Sequence, residues 1–244
     1  MTPVPRVRDA VRVWLVPDQR SEAVLADLSG VLDAEERLRA DAYLSADDRR
    51  RFVVAHGAAR HIVSRCVGAP AEELRWERGP HGKPELAGRW AGVRANLSHS
   101  AELSVVAVTA ARGVGVDVQR VLPHLDTAAM ADRYFPPEEA DLVRAAADAR
   151  SRADLFARLW CRKEALVKAH GGRLTPGLRI PVHDLGAVAG HRIADLPAPH
   201  GYRAAVALVG TGGYRVAWRR WSWPGPASGV RGDPTTCRLV ESTT

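Results

Sequence analysis

The chain has 244 residues, 46% hydrophobic and 26% charged, with 35 Lys+Arg against 28 Asp+Glu for a formal net charge of +7. That apolar share supports one large globular domain or two small ones and excludes a disordered tail or a fibrous repeat. No apolar run approaches the ~18–20 residues of a membrane span, and Val13–Val16 is too short for a signal peptide. Cys66, Cys161 and Cys237 form neither a disulfide framework nor a zinc site, so a cytoplasmic protein is expected. The basic balance points to polyanionic partners: nucleic acid, a membrane surface, a phosphorylated cofactor or an acidic protein.

The first element reads as a strand over Val11–Val16, ended by Pro17. A helical region follows from about Asp33, with a second segment from Arg51 to Cys66 that places Phe52, Ala55, Ala59, Ile62 and Val63 at helical spacing. Gly68 and Pro70 close it. Gly79–Pro84 is a Gly/Pro-rich loop, and two strands, Val93–Leu97 and Leu103–Thr109, flank an expected turn at Ser98-His99-Ser100. After Ala110–Gly113 the pattern restarts. Val114, Val116 and Val118 alternate with Gly115, Asp117 and Gln119 as in a half-buried strand. Helical stretches follow at 128–134, 137–149 and 153–169, then strands at 202–209 and 214–221 around Gly210–Gly213. The order predicts an α+β protein of two similar halves, 1–112 and 113–222, with a loosely held tail over 223–244.

Several familiar sites are absent. Pro84 follows Lys83 where a Walker loop needs Ser or Thr. Gly113–Asp117 lacks the third glycine of a dinucleotide fingerprint. There is no Gly-x-Ser-x-Gly elbow and no His-Glu-x-x-His pair. The basic residues are spread along the chain, which gives no support to a nucleic-acid reader.

Three patterns remain. Asp117 and Gln119 project from one face of a strand and can offer two oxygen ligands to a hard cation. On the predicted helix, Trp160, Glu164 and Lys168 stack at i, i+4 and i+8 while Leu155, Leu159 and Leu166 lie elsewhere; Glu164 is a candidate cation ligand, and Lys163 and Lys168 suit phosphate charges. Lys83 in Gly82-Lys83-Pro84, and Ser98-His99 after Asn96-Leu97, are donors held on tight backbone, which fits a phosphate-rich ligand. Taken singly, each pattern also has a plain structural reading: a strand end, a Glu–Lys helix pair, ordinary turn chemistry. Together they describe a magnesium site beside cationic phosphate ligands.

Gly115-Val116-Asp117-Val118-Gln119 and Trp160-Cys161-Arg162-Lys163-Glu164-Ala165 with Lys168, preceded by Gly82-Lys83-Pro84 and Asn96-Leu97-Ser98-His99-Ser100, resemble the motifs of the larger, Sfp-like 4′-phosphopantetheinyl transferases. The resemblance implies two similar α+β halves in one monomeric chain, with coenzyme A bound in the cleft between them. It implies Mg²⁺ on Asp117 and Glu164, with Gln119 or its water completing the shell. Lys168 and His99 are then expected on coenzyme A phosphates, with Lys83 and Ser98 nearby. Arg51, Arg37 and Arg39 are expected toward the 3′-phosphate and adenine. Asp117, Glu164 and Lys168 are the catalytic candidates. The implied reaction moves the phosphopantetheine arm onto a serine of an acidic apo acyl or peptidyl carrier protein, with no membrane or nucleic acid involved. One departure stands out: Gln119 occupies a position that usually carries a second carboxylate. Two rivals stay open at this point, a non-catalytic basic module for nucleic acid and a different Mg²⁺-dependent transferase of nucleotide-like substrates.

Overall fold

The computed structural model describes residues 10–79, 82–110, 112–171, 177–223 and 238–241. The fold is α+β, and its two halves repeat one plan. In the first, strand β1 (Ala10–Pro17) leads through helices α1 (Glu22–Gly30), α2 (Ala34–Asp41) and α3 (Ala46–Val67) and a short hairpin, β2 (Trp76–Arg78) and β3 (Pro84–Leu86). Strands β4 (Val93–Ser100) and β5 (Leu103–Ala110) then complete the order β1-β5-β4. In the second, β6 (Val114–Arg120) leads through α4 (Thr127–Tyr134), α5 (Pro137–Arg144) and α6 (Ala149–His170) to β7 (Gly186–Val188), β8 (His191–Leu196) and β9 (Tyr202–Val209), in the order β6-β9-β8-β7. In each half the last strand returns antiparallel beside the first; the long helix lies on β6 in the second half and on β4 and β5 in the first.

The same local chemistry sets both long helices. Ser45 caps α3 by accepting from Asp48 N–H at 3.3 Å, and Asp148 caps α6 by accepting from Ser151 N–H at 2.7 Å. Each ends on a left-handed glycine, Gly68 at φ 70 and Gly171 at φ 73, a conformation that a Cβ penalises.

Period-two alternation distributes the core. Val105 and Ala107 of β5 join Val11, Val13 and Leu15 of β1 in a cluster shared with Val114, Val116, Val118, Val206 and Leu208 of the second sheet. Val106 and Val108 turn the other way, onto Phe52, Val54, Ile62 and Val63 of α3. A third cluster packs Ala205, Ala207 and Ile193 against Leu159, Cys161, Ala165 and Leu166 of α6. The layers are therefore helices, sheet, sheet, helices.

Several expectations change. The expected turn at Ser98–Ser100 is strand: β4 runs to Ser100, and the chain reverses at Ala101-Glu102, with Ala101 at φ 50. Asn96, Ser98 and Ser100 face β6: Asn96 and Ser100 bond backbone N–H groups on its edge away from β9, and Ser98 meets the Asp117 carboxylate. Helix α1, capped by Ser21, and strands β7 and β8 lie in stretches for which the sequence reading names no element. In the Gly/Pro-rich segment between β2 and β3, Gly79 N–H bonds Lys83 O at 2.9 Å and Gly82 stands at φ 79, while Pro84 already belongs to β3. The sheets do not divide at 112/113 throughout. β10 (Arg215–Arg220) leaves the second half and pairs in parallel with β1. β11 (Arg238–Glu241), inside the expected tail, pairs with β10. The free edge of β1 is thereby covered, and Tyr214 and Val216 enter the shared core. Among the described residues, no helix is long and apolar enough to cross a membrane.

Candidate active site

Helix α6 lies directly on β6, and Gly115 makes that approach possible. A Cβ there would stand 2.0 Å from Ala165 O and 2.3 Å from Ala169 N, far inside any tolerable contact. With the strand and helix so close, Asp117, two residues further along the same face, meets side chains from the last two turns of α6.

Asp117 is 1% exposed, and its carboxylate is fully engaged. Lys168 Nζ and Ser98 Oγ each donate to Oδ1 at 2.6 Å, Lys168 also donates to Ser98 Oγ at 3.1 Å, and Gln119 Nε2 donates to Oδ2 at 3.1 Å. Glu164 Oε2 stands 3.8 Å from the same ammonium. Burial pushes the Glu164 carboxyl up, and Asp117 adds to that push, while Lys168 and a hydrogen bond from Trp160 oppose it. A buried carboxyl raised in this way holds a proton more tightly than a free one and is a better base once ionised.

The first half supplies the other wall. Asn96 Oδ1 accepts from Val116 N–H at 2.9 Å, and Ser100 Oγ accepts from Arg120 N–H at 3.0 Å. Ser98 thus reaches Asp117 from a strand pinned alongside β6. His99 points the opposite way along β4, as period two requires, and helps to line a cavity of about 310 Å³ with Glu36, Arg39, His56, Arg60 and Trp76. The surrounding protein lowers the His99 pKa first, and nearby His56, Lys168 and Arg51 lower it further against Asp117. That lowering favours the neutral imidazole as a hydrogen-bonding group.

The remaining candidates separate. Arg39 lines the cavity and lies 5.0 Å over the Phe52 ring. Arg51 stands near His99 and is held by Asp48 at 3.0 Å and Asp18 at 3.7 Å. Arg37 donates to Leu32 O, its own helix entry. Lys83 sends its ammonium to the end of α6, not into the cavity. Lys163 does not reach the site at all. It is 0% exposed, meets Glu139 Oε2 at 2.5 Å, donates to Ile180 O at 2.5 Å and lies 4.9 Å from the Phe135 ring centre. Adjacent helix positions are about 100° apart, so with Glu164 facing β6, Lys163 must turn into the core.

Sequence reasoning missed Asn96 as a bridge and the group that shapes the cavity. Glu36 accepts from Arg60 Nε at 2.5 Å and meets His56 Nδ1 at 3.0 Å. Burial alone would raise its pKa, but His56 and Arg60 win and hold it at about 2. The capping box of Asp33 and Glu36 was the available signal, since it announces two carboxylates at one helix start. Trp160 packs 5.6 Å from Phe156 in the third core while its ring N–H serves Glu164.

The donor chemistry fits a hard divalent ion. Two carboxylates, Asp117 and Glu164, converge on one ammonium, and the amide oxygen of Gln119 is not used in its bond to Asp117. Lys168 occupies the place of positive charge between them. Among the described residues no group of three His, Cys, Asp or Glu side chains is placed to hold a metal ion.

Residues 113–219 match the family model of the 4′-phosphopantetheinyl transferase superfamily, and residues 19–111 match that of the 4′-phosphopantetheinyl transferase N-terminal region. The chain is 34% identical over 165 residues to the 4′-phosphopantetheinyl transferase HetI of Nostoc sp., covering 67% of this chain and 69% of that protein. It is 31% identical over 170 residues to the 4′-phosphopantetheinyl transferase psf-1 of Bacillus pumilus, covering 69% and 70%. It is 27% identical over 169 residues to the human L-aminoadipate-semialdehyde dehydrogenase-phosphopantetheinyl transferase, covering 65% and 53%.

Proposed function

The chain belongs to the 4′-phosphopantetheinyl transferase family, in its larger, Sfp-like class, and on that premise we propose that it moves the phosphopantetheine arm of coenzyme A onto a serine of an apo acyl or peptidyl carrier protein, using Mg²⁺ and releasing adenosine 3′,5′-bisphosphate. The observation that carries the reading is the convergence of Asp117, Glu164 and Lys168 at the junction of the halves, tied to the first half through Ser98. A single chain supplies every member of that cluster, which supports a monomeric enzyme.

In this reading the cavity beside His99 takes the nucleotide end of coenzyme A. Arg39 and Arg51 supply positive charge toward it, and His99 donates a neutral hydrogen bond. Asp117 and Glu164 would hold Mg²⁺, with Gln119 or a water beside them, and the ion would neutralise the pyrophosphate that otherwise repels an incoming oxygen. Lys168, already poised between the two carboxylates, turns its ammonium to a phosphate oxygen. Glu164 accepts the proton of the carrier serine, a hydroxyl too weak a nucleophile to react unaided. Its burial favours this work by raising its proton affinity. The net charge of +7 suits an acidic carrier domain.

Incubation with coenzyme A, Mg²⁺ and several apo carrier domains, followed by intact-mass measurement, tests the proposal. A gain of one phosphopantetheine arm on the carrier is expected. No gain on any carrier overturns it.

A further inference from the structure

Lys83 starts on the β2–β3 turn of the first half and ends inside the second. Its Nζ donates to Lys168 O at 2.6 Å and to Val114 O at 3.0 Å. The stem runs past Gly171, where an added Cβ would lie 3.9 Å from Lys83 Cδ. Both acceptors are carbonyls in need of a donor. The last carbonyls of a helix have no partner within it. In α6, Val167 O is taken by Gly171 N–H, and Lys168 O falls to Lys83. Val114 O points to the same side of β6 as Val116 N–H, the edge away from β9, to which no strand pairs among the described residues. That edge is closed by side chains of the first half: Lys83 on Val114 O, Asn96 on Val116 N–H, and Ser100 on Arg120 N–H.

Both acceptors also belong to the elements that form the reactive cluster. Val114 begins the strand that carries Asp117 three residues on. Lys168 is held twice, its carbonyl by Lys83 and its ammonium by Asp117 and Ser98. Burial pushes the Lys83 pKa down, with Arg94 adding and Glu85 opposing, as expected of an ammonium withdrawn from solvent. A phosphate ligand would instead keep its charge exposed toward the cavity.

We propose that Lys83 is a positioning residue, not a phosphate ligand: its ammonium clamps β6 to the end of α6 and thereby sets the Lys168 ammonium on Asp117. This rests on the assignment of Asp117 and Lys168 as the transfer centre, so the test has one arm that needs no turnover. In the full-length protein, the Lys168 ε-methylene resonance, assigned with K168R, is compared between wild type and Lys83→Met. The clamp requires it to move toward solvent lysines in the variant; an unmoved resonance overturns the proposal. In the second arm, kcat for transfer is expected to fall on the order of 10-fold to 100-fold, as for a slightly misplaced group. KM for coenzyme A, and the salt dependence of adenosine 3′,5′-bisphosphate binding, should hold within about twofold. Lys83→Arg, which keeps a cation able to bridge two carbonyls, should recover most of kcat. If the methionine protein does not fold, Lys83→Gln, which carries no cation, takes its place in both arms. Weakened nucleotide binding with a shallower salt dependence and unchanged kcat would make Lys83 a phosphate ligand and overturn the clamp. A wild-type protein that transfers nothing while the resonance still moves tells against the transfer reading alone.

Discussion

Asp117 shows how much one side chain owes to its neighbours. Its carboxylate has an ammonium and a hydroxyl on Oδ1 and an amide on Oδ2, so its charge is compensated inside the protein. Gln119 donates to it, which a second carboxylate could not do. Changing Gln119→Glu should place two negative charges side by side, raise the site's affinity for a divalent ion and lower the Mg²⁺ concentration giving half-maximal rate. An unchanged Mg²⁺ titration would place Gln119 outside the ion's surroundings. Glu164 is the sharper test. Glu164→Gln removes the proton acceptor while keeping the shape, so kcat should drop on the order of 100-fold or more, with coenzyme A affinity nearly preserved. Near-normal kcat would strip Glu164 of both the base and the ligand role. The Glu164 spacing to Lys168 and Trp160 is visible in the sequence because helix geometry is local. The contrast with Lys163 is not: residue type alone gives both lysines the same promise, and only the packing of α6 sends one to the site and the other onto Glu139.

At the scale of elements, the contact of β6 with α6 is the joint on which the site depends. Gly115→Ala forces a methyl group to within 2.0 Å of Ala165 O, a backbone atom that cannot swing aside. It should destabilise the protein by about 1–3 kcal/mol or more in a denaturant melt, through overpacking. A melt unchanged from wild type would mean that the strand and helix can part at little cost. Helix α2 depends on charge. Glu36 is held at about 2 against an ordinary value of 4.5, so its ionised form contributes stability above pH 4.5 that is lost as pH falls through the range toward 2. Stability measured at pH 5 and pH 3 should fall for wild type and fall less for Glu36→Gln. Equal losses would show that Glu36 is not the group responsible. Most helices were legible from periodicity and caps. The short strands β7 and β8 and the true end of β4 were not, because three to eight residues carry little pattern and their pairing partners lie far along the chain.

For the whole molecule, the charge of +7 makes a prediction about encounter, not about fold. With an acidic carrier domain, kcat/KM should decline as salt is raised from low to physiological strength, through slower association. Salt-independent kcat/KM would indicate a docking surface that is mainly apolar.

The sequence by itself determined the residue types of the site, their order along the chain, and the strand and helix that carry Asp117 and Glu164, because each of these is set by spacing within one element. It also determined the doubled plan, since two long amphipathic helices each follow one strand and precede others. Only the tertiary structure decided which donors meet. Ser98 joins Asp117 across 19 positions, Lys83 reaches Lys168 across 85, and β10 crosses back to β1. Contacts of that separation arise from sheets packing on a shared core and from unpaired strand edges seeking partners, and no local pattern encodes where those edges come to rest.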